Sequence, residues 1–277
     1  MISRKNNRWL WSSFSMVLTL LFLFPIYWML VASMKTDAEI FTTPATFLPA
    51  KLSLKNYVDV LSSNYSVSNS FFNSFLTAMG TSILGIILAL PASYALARYR
   101  FRGKAIMTVL FLVSQMMPPT LTLVPLYLMF IKMDLINNLF GVIFAIVSGT
   151  VPLSVMIMRT YYLNIPKELE EAARIDGCGV FRTFLQIILP VASTGAYTIA
   201  VFAFIAGWNN LIYPMTFITK SYRWPATAML YNFNNEYGLQ WNMVMTYSML
   251  LIVPLLLIFI FLQRYMVVGL AEGSVKG

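Results

Sequence analysis

The chain has 277 residues, 59% of them hydrophobic and only 10% charged, with a formal charge of +9. A soluble domain carries about 25% charged residues, so this chain has too much apolar surface for one aqueous core, and a lipid bilayer is its solvent. Its basic residues are scattered among apolar stretches, which argues against a nucleic-acid-binding face and for charge placed at the membrane surface.

Six apolar stretches are each long enough to cross about 30 Å of hydrocarbon as a helix. They lie near residues 10–34, 71–97, 105–131, 138–161, 185–212 and 243–266. The expected fold is an all-α membrane protein, with one transmembrane domain over 1–277. The first apolar run is too long for a signal-peptide core and no clear A-x-A site follows it, so it is read as a retained span. A polar and aromatic segment near 35–70 follows. The second span holds Pro91 and carries Gly80, Thr81, Ser82 and Gly85, small residues of the kind that let membrane helices approach closely. The third is broken by Pro118-Pro119 and Pro125, with Gln115, Thr120 and Thr122 beside the break. A short turn near 132–137 leads to the fourth span, which holds Pro152. After a polar loop at 162–184, the fifth span holds Pro190 and ends at Trp208, Asn209 and Asn210, with Tyr213 close behind. A second polar and aromatic segment, near 213–242, precedes the last span and its Pro254. Each proline removes a helix hydrogen bond and kinks the chain, and neighbouring helices in a bundle take up the freed carbonyls. Irregular packing and a hinged substrate path are both open readings of these breaks.

The 162–184 loop contains the only segment built like a capped soluble helix, Pro166 to Gly177. Pro166 suits a first helical turn, and Glu168, Glu170 and Glu171 suit the positive end of the helix dipole. Gly177 suits a left-handed closing residue. Leu169, Ala172, Ala173 and Asp176 fall at i, i+3, i+4 and i+7 and form a small, smooth stripe. Glu170 and Arg174 are spaced to pair on another face.

Lysine and arginine set the orientation. Thirteen lie at the two termini and at 98–104, 159–182 and 264, against six in the alternate segments. The richer set is expected in the cytoplasm, with both termini, and the loop helix between spans four and five lies on that side.

Absences carry the chemistry. The single cysteine, Cys178, excludes an internal disulfide and a multi-cysteine metal site. With no histidine there are no imidazole bases, metal ligands or proton relays. All ten acidic residues fall in loops or at span ends, which argues against a proton-coupled carrier with buried carboxylate relays. No G-x-x-x-x-G-K-[ST] loop is present. Energy for active transport would come from another polypeptide.

The loop reads Glu171-Ala172-Ala173, three residues, Gly177, nine residues, Ile187, one residue, Leu189-Pro190. This resembles the EAA loop of ABC-importer membrane subunits, and nearly the whole chain is similar to the carbohydrate permeases of the maltose-importer G-subunit type. Tyr94-Ala95-Leu96-Ala97-Arg98, Phe101-Arg102-Gly103-Lys104, Ile175-Asp176-Gly177, Trp208-Asn209 and the tail from Gly269 to Gly277 match as well. The resemblance implies a permease subunit in the bacterial cytoplasmic membrane, switched between inward- and outward-facing states by a separate ATPase. The chain would perform no catalysis and hold no metal or cofactor, with ATP and Mg on the partner. Implied partners are a second permease subunit, two ATPase subunits, an extracytoplasmic solute-binding protein, a sugar or oligosaccharide and membrane lipid. By position, Glu171, Ala172, Ala173, Asp176 and Gly177 would couple to the ATPase, with Glu171 meeting a basic residue there. Trp208, Asn209, Asn210, Tyr213 and Gln115 are candidates for the substrate path, because sugars favour aromatic faces ringed by amides and hydroxyls. An interfacial aromatic belt is the other reading of Trp208 and its neighbours. Alternatives are an ABC permease for a non-sugar solute or, from another class, an ion-coupled carrier acting alone.

Overall fold

The computed structural model describes residues 7–63, 66–235 and 238–274. Arg4 and Lys5, the pair Asn64-Tyr65, the pair Glu236-Tyr237 and the last three residues of the 269–277 tail lie outside the described residues. The chain divides into two compact units, Met1–Val67 with Leu230–Pro254, and Ser68–Met229 with Leu255–Gly277.

The first unit is built on α1 (Asn7–Ser33). From Trp11 to Pro25 every residue of α1 is exposed. A helix that is apolar all round needs lipid or another subunit about it. Its last carbonyls have no helical partner, and two side chains take that role. The Asn56 amide donates to the carbonyls of Ser33 and Lys35, both at 2.8 Å, and the Thr246 hydroxyl donates to Ser33 at 3.1 Å. Asn56 lies on α3 (Lys55–Leu61), and Thr246 lies on the long final helix. Between α1 and α3, α2 (Asp37–Ile40) starts at Thr36, whose hydroxyl accepts from the Glu39 N–H. A two-residue antiparallel ladder, Asn234–Asn235 with Gly238–Leu239, precedes that final helix.

The second unit opens with α4 (Val67–Arg98), a 32-residue helix. α5 (Lys104–Met116) and α6 (Pro119–Lys132) follow, bent by 103° at their junction. The paired prolines cause the break. A residue before proline is pushed out of the helical region, and both Met117 (ψ 125) and Pro118 (ψ 135) are extended. α7 (Leu139–Asn164) starts at Asn138, whose side-chain oxygen accepts from the Phe140 N–H at 3.0 Å.

After α8 (Glu168–Ile175) the chain runs through α9 (Val180–Thr183), a π-helical turn at Phe184–Ile188 and α10 (Leu189–Val191). It then bends by 80° into α11 (Ser193–Trp208). The π turn lies just ahead of Pro190. A proline ring clashes with the carbonyl four residues back, and a wider turn there relieves the conflict. Short segments α12 (Ile212–Phe217) and α13 (Ala226–Met229) lead to α14 (Trp241–Ser274).

α4 and α11 touch through small residues. The Ser82 hydroxyl donates to Ala200 at 3.0 Å, and a Cβ on Gly207 would fall 2.7 Å from the Ala78 Cα. Among the described residues, four helices are by length and composition sufficient to cross a membrane, and up to six spans result if each bent pair is one.

Candidate functional site

α8 sits between the end of α7 and the π turn, and packs against the π turn and α9. Ile165 breaks α7 because it precedes Pro166; its ψ is 129. Pro166 lies just ahead of α8, and the Lys167 carbonyl accepts the first two bonds, from the N–H groups of Glu170 and Glu171 at 2.9 and 3.1 Å. The far end closes as the glycine pattern predicts. Gly177 has φ +81, the Cys178 N–H reaches the Ala173 carbonyl at 2.9 Å, and the Gly177 N–H reaches that of Arg174 at 3.1 Å. These are the two bonds of a Schellman motif.

The two faces of α8 differ from the expected stripe. Ala173 is turned inward, 2% exposed, and Glu170 with it. Glu171, Ala172, Asp176 and Gly177 face outward. Ile175 is 86% exposed and Phe181, on α9, 74% exposed. Neither apolar side chain was expected at the docking face, because Phe181 lies outside the matched motif and Ile175, though within the Ile175-Asp176-Gly177 match, is not part of the small-residue stripe.

Glu170 does not pair with Arg174 along its own helix. Its carboxylate meets Arg98, the last residue of α4, at 2.5 Å, and the Arg98 Nη2 donates to the Ile165 carbonyl at 2.8 Å. Beneath them the Tyr94 ring packs edge to face with Tyr162 at 5.5 Å and lies tilted against Phe184 at 4.9 Å.

The predicted path residues separate into two places. Gln115 and Tyr213 line one cavity of about 470 Å³ at the Pro118-Pro119 break, with Ser114, Thr122 and Ser148. The Gln115 amide donates to the Gly149 carbonyl at 3.0 Å. Asn210 stands at the edge of this region, where its side-chain oxygen accepts from the Tyr213 N–H at 3.1 Å. Trp208 does not line the cavity. It is 2% exposed, stacked 6.0 Å from Phe204 and edge-on to Phe71, so its ring faces are covered by protein. Asn209 is exposed just beyond it. A larger cavity of about 640 Å³, which the sequence did not suggest, is walled by α4 and α7 side chains including Leu76, Met79 and Ile143, with Asn73 and Arg223 at its rim. Among the described residues, no group of three or more acidic, cysteine or histidine side chains is placed to hold a metal.

Residues 81–269 match the family described as binding-protein-dependent transport system inner membrane component. The chain is 30% identical over 266 residues to the arabinooligosaccharides transport system permease protein AraQ of Bacillus subtilis, covering 95% of this chain and 94% of that protein. It is 28% identical over 265 residues to the diacetylchitobiose uptake system permease protein DasC of Streptomyces coelicolor, covering 95% of each. Its fold superimposes with a TM-score of 0.80 on a chain from the crystal structure of a bacterial ABC transporter involved in the import of the acidic polysaccharide alginate. That match has 20% sequence identity and covers 96% of this chain and 99% of that one. The match to the family spans more than half of the sequence, and the chain belongs to the binding-protein-dependent transport system inner membrane component family, as a multi-pass permease component of the bacterial inner membrane.

Proposed function

We propose that the chain is one permease subunit of an ATP-driven carbohydrate importer, and that α8 is the cytoplasmic element on which the ATPase docks. In this reading the chain crosses the membrane six times, each bent pair counting as one span, with both termini in the cytoplasm. It forms a single transmembrane domain over 1–277 with its coupling loop at 162–184. It works with a second permease subunit, two ATPase subunits that bind ATP and Mg, and an extracytoplasmic solute-binding protein. The chain itself holds no cofactor and performs no catalysis.

The observation that carries this reading is the two-faced α8. One face is fixed to the bundle through Ala173 and Glu170. The other offers Glu171, Ala172, Ile175, Asp176 and Gly177 beside Phe181. An exposed apolar patch rimmed by charge on a short, closed helix is the form of a protein-docking surface. Ala173 acts from the inner side, its small side chain letting α8 lie close to the bundle. The distribution of lysine and arginine supports a cytoplasmic position for α8.

A carbohydrate as cargo is supported by the relatives, whose names refer to arabinooligosaccharides and diacetylchitobiose, and by the cavity at the proline break. Its amide, hydroxyls and tyrosine suit a polyol that offers both apolar ring faces and hydroxyl groups. Gln115 and Tyr213 are the principal contacts there, with Asn210 positioning Tyr213. Trp208, buried between Phe71 and Phe204, and exposed Asn209 complete the proposed path residues outside this cavity.

The test is reconstitution of the full transporter in proteoliposomes with a panel of labelled oligosaccharides. ATP-dependent uptake of at least one sugar is expected. Gln115→Leu should lower uptake at sub-saturating sugar roughly 3- to 10-fold, the value of one or two net hydrogen bonds of about 1 kcal/mol or less each. Uptake of an amino acid or a phosphate ester, with no sugar in the panel carried, would overturn the cargo assignment.

Glu171→Lys tests the docking face. Reversing an exposed charge in contact with a basic partner surface changes attraction into repulsion. The ATPase recovered with the tagged permease should fall about 10-fold. Undiminished recovery would remove Glu171 from the interface.

A further inference from the structure

We propose that Arg98 is the positioning residue that carries movement of α8 into α4, and so into the wall of the larger cavity. This inference rests on the reading of α8 as the ATPase-docking element.

One planar guanidinium joins three pieces of chain. It is covalently the last residue of α4, its Nε meets Glu170 on the first turn of α8 at 2.5 Å, and its Nη2 holds the Ile165 carbonyl at the break after α7 at 2.8 Å. Two bonds in fixed directions are a geometry that arginine supplies and lysine does not. The pair is shielded, with side chains 5% and 9% exposed, so salt and water weaken it little. Among the described residues it is the only ion pair.

Position gives the pair a mechanical sense. Glu170 and Glu171 are adjacent on the same turn, yet one faces the bundle and the other faces out. A force applied on the Glu171 side therefore reaches Glu170 through one rigid helical turn. Arg98 transmits it to a 32-residue helix that supplies Asn73, Leu76, Met79, Gly80 and Ile83, fifteen or more residues away along the chain, to the cavity of about 640 Å³. Beside this path α8 packs chiefly against α9 and the π turn, and π turns are places where helices kink. The ion pair, joined by the Tyr94 hydroxyl that also hydrogen-bonds to Glu170, is the polar tie that passes the hinge by, and Arg98 is its two-point, directed part.

Stability alone gives a buried ion pair little reason to be kept, because well-packed apolar side chains of similar volume often replace one at no loss. That rule supplies the experiment. In the assembled transporter, the double variant Arg98→Met with Glu170→Leu keeps volume and removes the directed link. It should be recovered with its ATPase at near wild-type yield, while ATP-driven uptake per complex falls at least 10-fold. Arg98→Lys, which keeps the charge but loses the two-point geometry, should fall at least 3-fold, and the reversed pair Arg98→Glu with Glu170→Arg should recover part of the loss relative to Arg98→Glu alone. Wild-type uptake by the double variant or by Arg98→Lys overturns the proposal, and Arg98→Lys carries the test if the double variant is recovered poorly.

The docking reading is checked separately in the same preparation. Ala172→Cys in a Cys178→Ser background should cross-link to the ATPase in the otherwise unaltered transporter. If that cross-link is absent, the docking of α8 fails; if it forms while the Arg98 variants transport normally, only the role of Arg98 fails.

Discussion

Gly177→Val is expected to cut ATP-driven uptake at least 10-fold while the chain continues to insert in the membrane. Gly177 has φ +81, and a Cβ built there meets nothing within 4 Å. Crowding is therefore not the cause, and the cost is in the backbone. An L-residue held in the left-handed region costs roughly 1–2 kcal/mol, and a β-branched one is a true outlier there. The turn relaxes instead, and the bonds from Cys178 to Ala173 and from Gly177 to Arg174 are lost. Because α9 and the π turn follow directly, the exposed face with Ile175 and Phe181 loses its fixed shape. A substitution series separates the backbone from the surface. Asn tolerates the left-handed region best among side chains and should retain most uptake. Ala should lie between Asn and Val. Asp tolerates the backbone but places a negative charge at the negative end of the α8 dipole, beside Asp176, so its defect should exceed that of Asn and shrink with added salt. Equal uptake by the Val and Asn variants, normalised to protein inserted, would remove the closing turn from the coupling mechanism.

The closing turn was legible because its requirement is local. A glycine after a short polar helix states its own conformation. The inward face of α8 was not legible. A helix of eight residues fixes which side chains share a face but not which face meets the bundle. Three glutamates in its first turn look equivalent until the third dimension selects Glu170. Its partner, Arg98, lies 72 residues away and carries a sufficient local explanation as charge at a membrane boundary. The same contrast holds along the spans. The breaks at Pro118-Pro119 and beside Pro190 were visible, since the residue before a proline is restricted, whereas the helices run on through Pro125, Pro152 and Pro254, where the bundle holds the chain helical. The bends of 103° and 80° were not, since they depend on the helices that the broken ends pack against. At the candidate path, nearness in sequence misled for Trp208 and helped for Asn210. Trp208 is buried between Phe71 and Phe204, while Gln115, nearly a hundred residues from Tyr213, shares its cavity.

The contact between α4 and α11 should be the least tolerant of added volume. A Cβ on Gly207 would stand 2.7 Å from the Ala78 Cα, and 3.1 Å from both the Thr77 carbonyl and the Thr81 hydroxyl. Two of these three atoms are backbone, so no rotamer change makes room and the helices themselves must part. Overpacking a tight core costs about 1–3 kcal/mol and sometimes more. In a membrane bundle the close approach of backbones is itself the source of attraction, because lipid is as apolar as the side chains. Parting α11 from α4 would also disturb the hydrogen bond from Ser82 to Ala200 and the ring packing of Trp208. Gly207→Val should therefore lower the thermal midpoint of the detergent-solubilised chain by roughly 6–12 °C, taking about 3 kcal/mol and 2–4 °C per kcal/mol for a protein of this size. Gly149→Ala is the control. It lies in α7, where an added methyl meets nothing within 4 Å. Alanine is the better helix former by about 1 kcal/mol, so this variant should match or exceed the unaltered midpoint. A Gly207→Val midpoint within about 2 °C of the Gly149→Ala value, below the shift from 1 kcal/mol of strain, would mean that α4 and α11 do not rely on this close approach.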